Sequence, residues 1–139
     1  PLEGNKVPDV FKLFFTDTGL LIASLDEGTA GHVLSGELGI YKGAIYEQSF
    51  ADAYLKNHKK LYYYSEESGL EINFVTQNNG EVILIEVKAK DGRTKAGTEV
   101  LTHKEKYKDV VKMIRLKDTN VGSFNNIDTF PAYMSFLVK

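Results

Sequence analysis

The stretch Glu81-Val82-Ile83-Leu84-Ile85-Glu86-Val87-Lys88-Ala89 decides how this chain folds. It is apolar almost throughout and rich in β-branched residues, which predicts a core strand. In a strand, residues i and i+2 share a face. Glu86 and Lys88 therefore sit side by side near its end. A charge is buried only when it is paired or holds a metal. The strand either hides an ion pair or contributes to a site.

Working outward, Gln77-Asn78-Asn79-Gly80 is a strong hairpin signal, because Asn-Gly supplies the positive φ angles of a type I′ turn. Before it, residues 70–76 alternate. Leu70, Ile72, Phe74 and Thr76 take one face; Glu71, Asn73 and Val75 take the other. Paired as hairpin arms, this strand would set Glu71 and Asn73 against Glu86 and Lys88. Residues 61–64 form an aromatic strand, and residues 65–69 a turn. Residues 41–57 are the strongest helix, with Ala44, Glu47, Ala51 and Tyr54 on one face and Ile40, Phe50 and Leu55 widening it. Two readings of Glu47 stay open: it joins the buried stripe, or it sits at the margin and reaches water.

The remaining elements follow from local signals. Residues 10–15 predict a short strand. Thr16-Asp17-Thr18 offers caps for a helix over residues 19–25. Residues 31–39 are a glycine-punctuated loop or short helical turn. Residues 90–97 form a basic, flexible loop, followed by a helix over 98–107 capped by Thr98 or Gly97. A strand over 110–116, a polar loop over 119–126 and a short strand over 127–130 lead to Pro131. That residue opens an apolar, docked and helical end over 132–138. The order predicts one α/β domain, a mixed β-sheet flanked by helices. Residues 1–40 lead in, 41–117 form the core and 118–139 pack on it.

Composition narrows the function classes. A chain of 139 residues with 42% hydrophobic content suits one packed domain. No apolar run is long enough to span a bilayer, so no membrane partner is expected. The absence of cysteine excludes disulfides and thiolate metal sites, and the expected setting is the reducing cytoplasm. The chain opens Pro-Leu-Glu-Gly without methionine, as either a piece of something larger or a processed chain would. The net charge of −2 hides an asymmetry. Residues 1–87 hold six basic against thirteen acidic residues, whereas residues 88–117 hold ten against four. Such a basic block suits a polyanion, and Lys90, Arg93 and Lys95 are candidate nucleic-acid contacts. A solvated lysine face explains it as well. His32, His58 and His103 lack a second ligand at zinc-binding spacing. Tyr62, Tyr63 and Tyr64 are candidate base-stacking residues, with Tyr63 on the opposite face from the other two.

One constellation carries chemistry. A helix brings Glu47, one strand brings Asn73, and the next brings Glu86 and Lys88. Carboxylates and a carbonyl make a hard oxygen site suited to Mg²⁺. A neighbouring lysine can orient a water or stabilise a phosphoryl oxygen, as metal-assisted phosphodiester hydrolysis requires.

Five blocks, in order, span almost the whole chain: residues 11–21, 43–47 with Glu47, 71–75 with Asn73, 85–89 with Glu86-Val87-Lys88, and 130–133. On them the sequence resembles the PD-(D/E)xK nucleases. More closely, it is similar to an uncharacterised nuclease-like domain at the C-terminus of a family of prokaryotic AAA+ ATPases. The resemblance implies a restriction-endonuclease-like core and Mg²⁺ or Mn²⁺ as cofactor. It implies Glu47 as the supporting helix acid, Glu86 as the strand acid, Lys88 as the catalytic lysine and the Val87 backbone carbonyl as a metal ligand. Asn73 occupies the position of the central metal ligand, usually aspartate. Asparagine brings no charge, so metal affinity is expected to fall, with Glu71 two residues earlier as a partial substitute.

The expected function is a catalytically impaired nuclease-like domain that binds nucleic acid or a protein partner. The alternatives are an active Mg²⁺- or Mn²⁺-dependent DNA nuclease and a domain that docks on its own ATPase. No glycine-rich loop ending in Lys-Ser or Lys-Thr occurs, so this chain alone is not expected to hydrolyse ATP. The resemblance implies an N-terminal ATPase module as a partner and leaves the substrate and oligomeric state open.

Overall fold

The computed structural model describes residues 2–89 and 94–138. Lys90 and Arg93 lie outside the described residues. Four short helical pieces precede the core: a 3-10 turn over Leu2–Asn5, α1 (Thr18–Ala23), α2 (Thr29–Leu34) and a 3-10 turn over Gly39–Tyr41. The long helix α3 (Lys42–Lys56) follows, then strands β1 (Tyr62–Ser65), β2 (Glu71–Asn78) and β3 (Glu81–Lys88). Helix α4 (Lys95–Thr102) crosses to β4 (Val110–Lys117). The chain closes with β5 (Gly122–Phe124), β6 (Ile127–Pro131) and a 3-10 turn over Ala132–Leu137. No helix among the described residues is long and apolar enough to cross a membrane.

The fold is α/β, with a mixed six-stranded sheet in the order β1-β2-β3-β4-β6-β5. β1, β2 and β3 run antiparallel; β3, β4 and β6 are mutually parallel neighbours; β5 returns antiparallel to β6. The β2–β3 hairpin forms where Asn79-Gly80 stands, with φ of 50° and 87° at those two residues. β3 is buried from Val82 to Val87 because both of its faces are covered.

Alternation along β3 separates two apolar layers. Ile83, Ile85 and Val87 join Phe50, Ala51 and Tyr54 of α3, together with Phe74, Ile114, Leu116 and Val138. Val82 and Leu84 join Val100 of α4, with Leu70, Ile72, Val75, Val110 and Met113. α3 and α4 therefore cover opposite faces of the sheet. The buried side of α3 is Ile45, Gln48, Phe50, Ala51 and Tyr54, rotated from the expected stripe; Ala44, Ile40 and Leu55 are exposed.

β2 does not alternate cleanly. Tyr62 pairs Val75 and Tyr64 pairs Ile72, so Asn73 and Phe74 both stand opposite Tyr63. This β-bulge puts Ile72 and Phe74, two residues apart, into different layers. Other expectations are corrected as well. Residues 10–15 form no strand. Gln48 instead grips the Phe15 backbone, accepting from its N–H at 2.9 Å and donating to its carbonyl at 2.8 Å. The Phe14 ring then packs on Phe74, 5.5 Å between centroids. Helix α4 starts at Lys95 rather than Thr98 and ends before the turn over 103–109. The polar stretch 119–126 contains β5, turned back by Asn125 and Asn126, both at positive φ.

Two predictions follow from this packing. A Cβ on Gly97 would lie 2.1 Å from the Met113 sulfur, which is fully buried. Gly97→Ala should lower stability by about 1–3 kcal/mol despite its better helix propensity; an unchanged urea midpoint would contradict that packing. At the β1–β2 turn, Glu66 accepts from Lys106 Nζ at 2.7 Å and from the Tyr64 and Tyr107 hydroxyls at 2.6 Å. These donors hold its carboxyl down to about 2, below the ordinary 4.5. Its stabilisation is complete above pH 4.5 and is lost as pH falls toward about 2. Acid unfolding of Glu66→Gln should therefore show a shallower limb below pH 4.5 than the parent chain.

Candidate functional site

The bulge in β2 builds the centre of the site. It lifts Asn73 out of the regular ladder, and its carboxamide bonds in two directions. Nδ2 donates to Glu47 Oε1 on α3 at 2.9 Å. Oδ1 accepts the backbone N–H of Val87 on β3 at 3.1 Å. The last β2–β3 pair before this point is Phe74↔Ile85, so the Asn73 side chain takes up a donor just beyond the interrupted ladder. A residue expected to present its carbonyl oxygen to a cation uses that oxygen to hold the sheet together. Val87 enters the network through its N–H.

Glu47 is half-buried and its carboxyl is raised above the ordinary value, chiefly by loss of solvent. Lys12 pulls it down, Glu71 pushes it up, and Lys88 and Glu86 add smaller opposing effects. Lys12 was not singled out in the sequence. It arrives on the strap gripped by Gln48, pairs with the Glu71 carboxylate and lies 4.9 Å from the centre of the Tyr63 ring. Glu71 is thus committed to Lys12 and does not turn to Asn73.

Glu86 and Lys88 belong to the other side of β3. Glu86 shares the parity of Val82 and Leu84, and a Cβ on Gly97 of α4 would lie 3.7 Å from its Cγ. It is 2% exposed, and its Oε2 meets Lys88 Nζ at 3.0 Å. The four expected site residues are therefore neighbours but form two units. One is Glu47–Asn73–Val87 N–H on the α3 side; the other is Glu86–Lys88 on the α4 side. The peptide link between Glu86 and Val87 joins them.

This arrangement does not fit a resident Mg²⁺ or Mn²⁺. Such ions need several oxygen donors converging on one point. Asn73 Oδ1 is taken by a backbone donor, Glu47 Oε1 by an amide and Glu86 Oε2 by an ammonium. Among the described residues, no group of three His, Cys, Asp or Glu side chains stands where it could hold a metal. His32 faces Glu37 at the surface, His103 Nδ1 contacts the Glu99 carbonyl, and neither meets a second ligand of this kind. The tyrosines divide as expected. Tyr62 and Tyr64 pack on the α4-side layer with their hydroxyls on Glu3 and Glu66, while Tyr63 lies under Lys12. Lys95 is exposed in the first turn of α4.

Comparison with known proteins identifies one family. The model described as "Domain of unknown function (DUF4143)" matches residues 42–133, from the first residue of α3 to just past β6. No curated protein and no solved structure matches the chain.

Removing the donor from the bridge should be costly. In Asn73→Asp, a carboxylate replaces the amide beside Glu47, and stability at pH 7 should fall by about 2–3 kcal/mol. The deficit should shrink toward pH 4, where one carboxyl keeps a proton and can donate again. A uniform deficit at both pH values would argue against the bridge. Glu47→Gln tests the burial of the charge. A raised carboxyl stabilises fully below the ordinary 4.5 and loses that contribution as pH rises through its folded value. The Tm of the Gln variant, relative to the parent, should therefore be higher at pH 7 than at pH 4.

Proposed function

The chain belongs to the DUF4143 family, and from that premise we propose that it is a nuclease-like domain that binds nucleic acid without cutting it. In this reading it serves as the accessory half of a AAA+ ATPase, whose ATPase module lies on another segment of the parent protein. The family is known to accompany AAA ATPases. The succession α3-β1-β2-β3-α4-β4 supports a restriction-endonuclease-like core, with Glu86 and Lys88 ending the central strand as the resemblance implies.

The observation that carries the loss of cleavage is the Asn73 carboxamide. A nuclease of this type needs a carboxylate there, paired with Glu86 around a metal. Here the amide nitrogen supplies the partial positive charge that Glu47 requires, and the amide oxygen serves Val87. The site is complete without a cation. Glu86 and Lys88 neutralise each other, which leaves the buried carboxylate a structural anchor rather than a ligand. What supports nucleic-acid binding in this reading is the excess of basic residues over 88–117, ten against four acidic.

Fluorescence anisotropy with a labelled oligonucleotide, combined with gel analysis in Mg²⁺ and Mn²⁺, tests this reading. Binding should weaken steeply from 50 to 200 mM salt, as phosphate contacts do. Cleavage should be absent with either metal. Metal-dependent cleavage that disappears in Glu86→Ala and Lys88→Ala would overturn the proposal in favour of an active nuclease. No binding at low salt would remove nucleic acid as the partner.

A further inference from the structure

The lead-in holds a segment with a strand's chemistry and no strand beside it. Burial alternates along residues 11–15: Phe11, Leu13 and Phe15 are exposed, while Lys12 and Phe14 are half-buried. That is the period of an extended chain. The inward side of this strap is anchored. Phe14 packs on Phe74, Lys12 pairs with Glu71 over the Tyr63 ring, and Gln48 holds both backbone groups of Phe15. The outward side is apolar and left in water, with Phe11 68% and Leu13 85% exposed. Val7 and Val10 continue the exposed apolar run on the N-terminal side.

The backbone is open as well. Among the described residues, the N–H and C=O groups of residues 11–14 make no hydrogen bond. The Gln48 carboxamide supplies one rung at Phe15, and no ladder continues it. Water satisfies such groups in the lone chain. A strand-like segment with a free backbone is also the template that an incoming strand extends. The anchors at Lys12, Phe14 and Phe15 hold the strap in place beforehand, which lowers the ordering cost of docking.

Charge decides the occupant. Residues 1–41 carry six acidic residues against two basic. Asp9 and Asp17 flank the strap, and Lys12, its only cation, is turned inward to Glu71. Asp17 meets Lys56 at 3.8 Å and caps α1 through the Gly19 N–H, while Asp9 has no ion pair among the described residues. A second copy of the strap fits poorly. Laid antiparallel about Leu13, two straps set Asp9 against Asp17 of the second copy. Laid parallel in register, they set Lys12 on Lys12 and Asp9 on Asp9. Like charges opposite each other destabilise such pairing. We propose that the strap over residues 11–15 docks an extended strand of a different protein chain, one that alternates apolar with polar residues and carries lysine or arginine at its ends. Its apolar side chains stand beside Phe11, Leu13 and Phe15 as cross-strand pairs, and its terminal cations meet Asp9 and Asp17. This surface is independent of the nucleic-acid reading, because the acidic lead-in repels a polyanion.

Fluorescence anisotropy with fluorescein-labelled Lys-Lys-Val-Thr-Val-Thr-Val-Lys-Lys tests this, beside a version with glutamate for every lysine and a version N-methylated at alternate residues. The lysine peptide should bind about tenfold more tightly than the glutamate peptide at low salt. N-methylation should abolish binding, because main-chain hydrogen bonds carry the affinity. Amide exchange of residues 11–14, fast in the chain alone, should slow when the lysine peptide is added. Leu13→Ser changes an exposed side chain, so it should keep the parent Tm and weaken the lysine peptide about tenfold. Binding that leaves exchange at residues 11–14 unchanged, equal binding of the two charge versions, or no binding of the lysine peptide would each overturn the proposal. So would self-association of the chain that Leu13→Ser abolishes, which would make a second copy the occupant.

Discussion

Everything in this domain that bears on function turns on one carboxamide. Asn73 ties helix α3 to the central strand through two hydrogen bonds of opposite polarity, 2.9 Å to Glu47 and 3.1 Å from Val87. The bulge makes this possible. Regular alternation would not place Asn73 and Phe74 on the same side, and Phe74 is needed there to pack on Phe50 at 4.9 Å. One extra residue in β2 lets an apolar ring and a polar bridge share the α3 face.

Charge logic explains why an amide suits that place. Glu47 is half-buried and discouraged from ionising, with Lys12 the strongest influence in its favour. A second carboxylate at position 73 would need a cation or a proton to be tolerated. An amide needs neither, because it offers a donor to the acid and an acceptor to the backbone at once. On the other side of β3, Glu86 meets the cost of burial through its ion pair with Lys88. Two charge problems on opposite sides of β3 are thus solved separately, and neither solution calls for a metal.

Much of the frame was legible in the sequence. Asn79-Gly80 announced the β2–β3 turn because few other pairs accept positive φ twice, and the apolar run of β3 announced a strand covered on both faces. The candidate site was legible only in its membership. Periodicity assumes an unbroken ladder, so the bulge at Asn73 and Phe74 was invisible to it, as was the division of the site between two faces. Residues 10–15 carry a strand's composition but are held by the side-chain amide of Gln48 instead of a ladder, a contact that only the tertiary fold supplies. The paired asparagines at 125 and 126 were the available cue for the β5–β6 hairpin, overlooked within a polar stretch. Charge counting found the basic block but not its geometry. Lys88, Lys106 and Lys112 are drawn off by Glu86, Glu66 and Asp128, and Arg115 is held by the Thr129 hydroxyl.

The central claim is that Asn73 is a hydrogen-bonded bridge and not a metal ligand. Nuclear magnetic resonance of its side-chain NH₂ group during a Mn²⁺ titration tests this most directly. The account predicts a slowly exchanging carboxamide whose signals stay sharp at equimolar Mn²⁺. Selective broadening of the Asn73 carboxamide at equimolar metal, with restoration by a chelator, would contradict it.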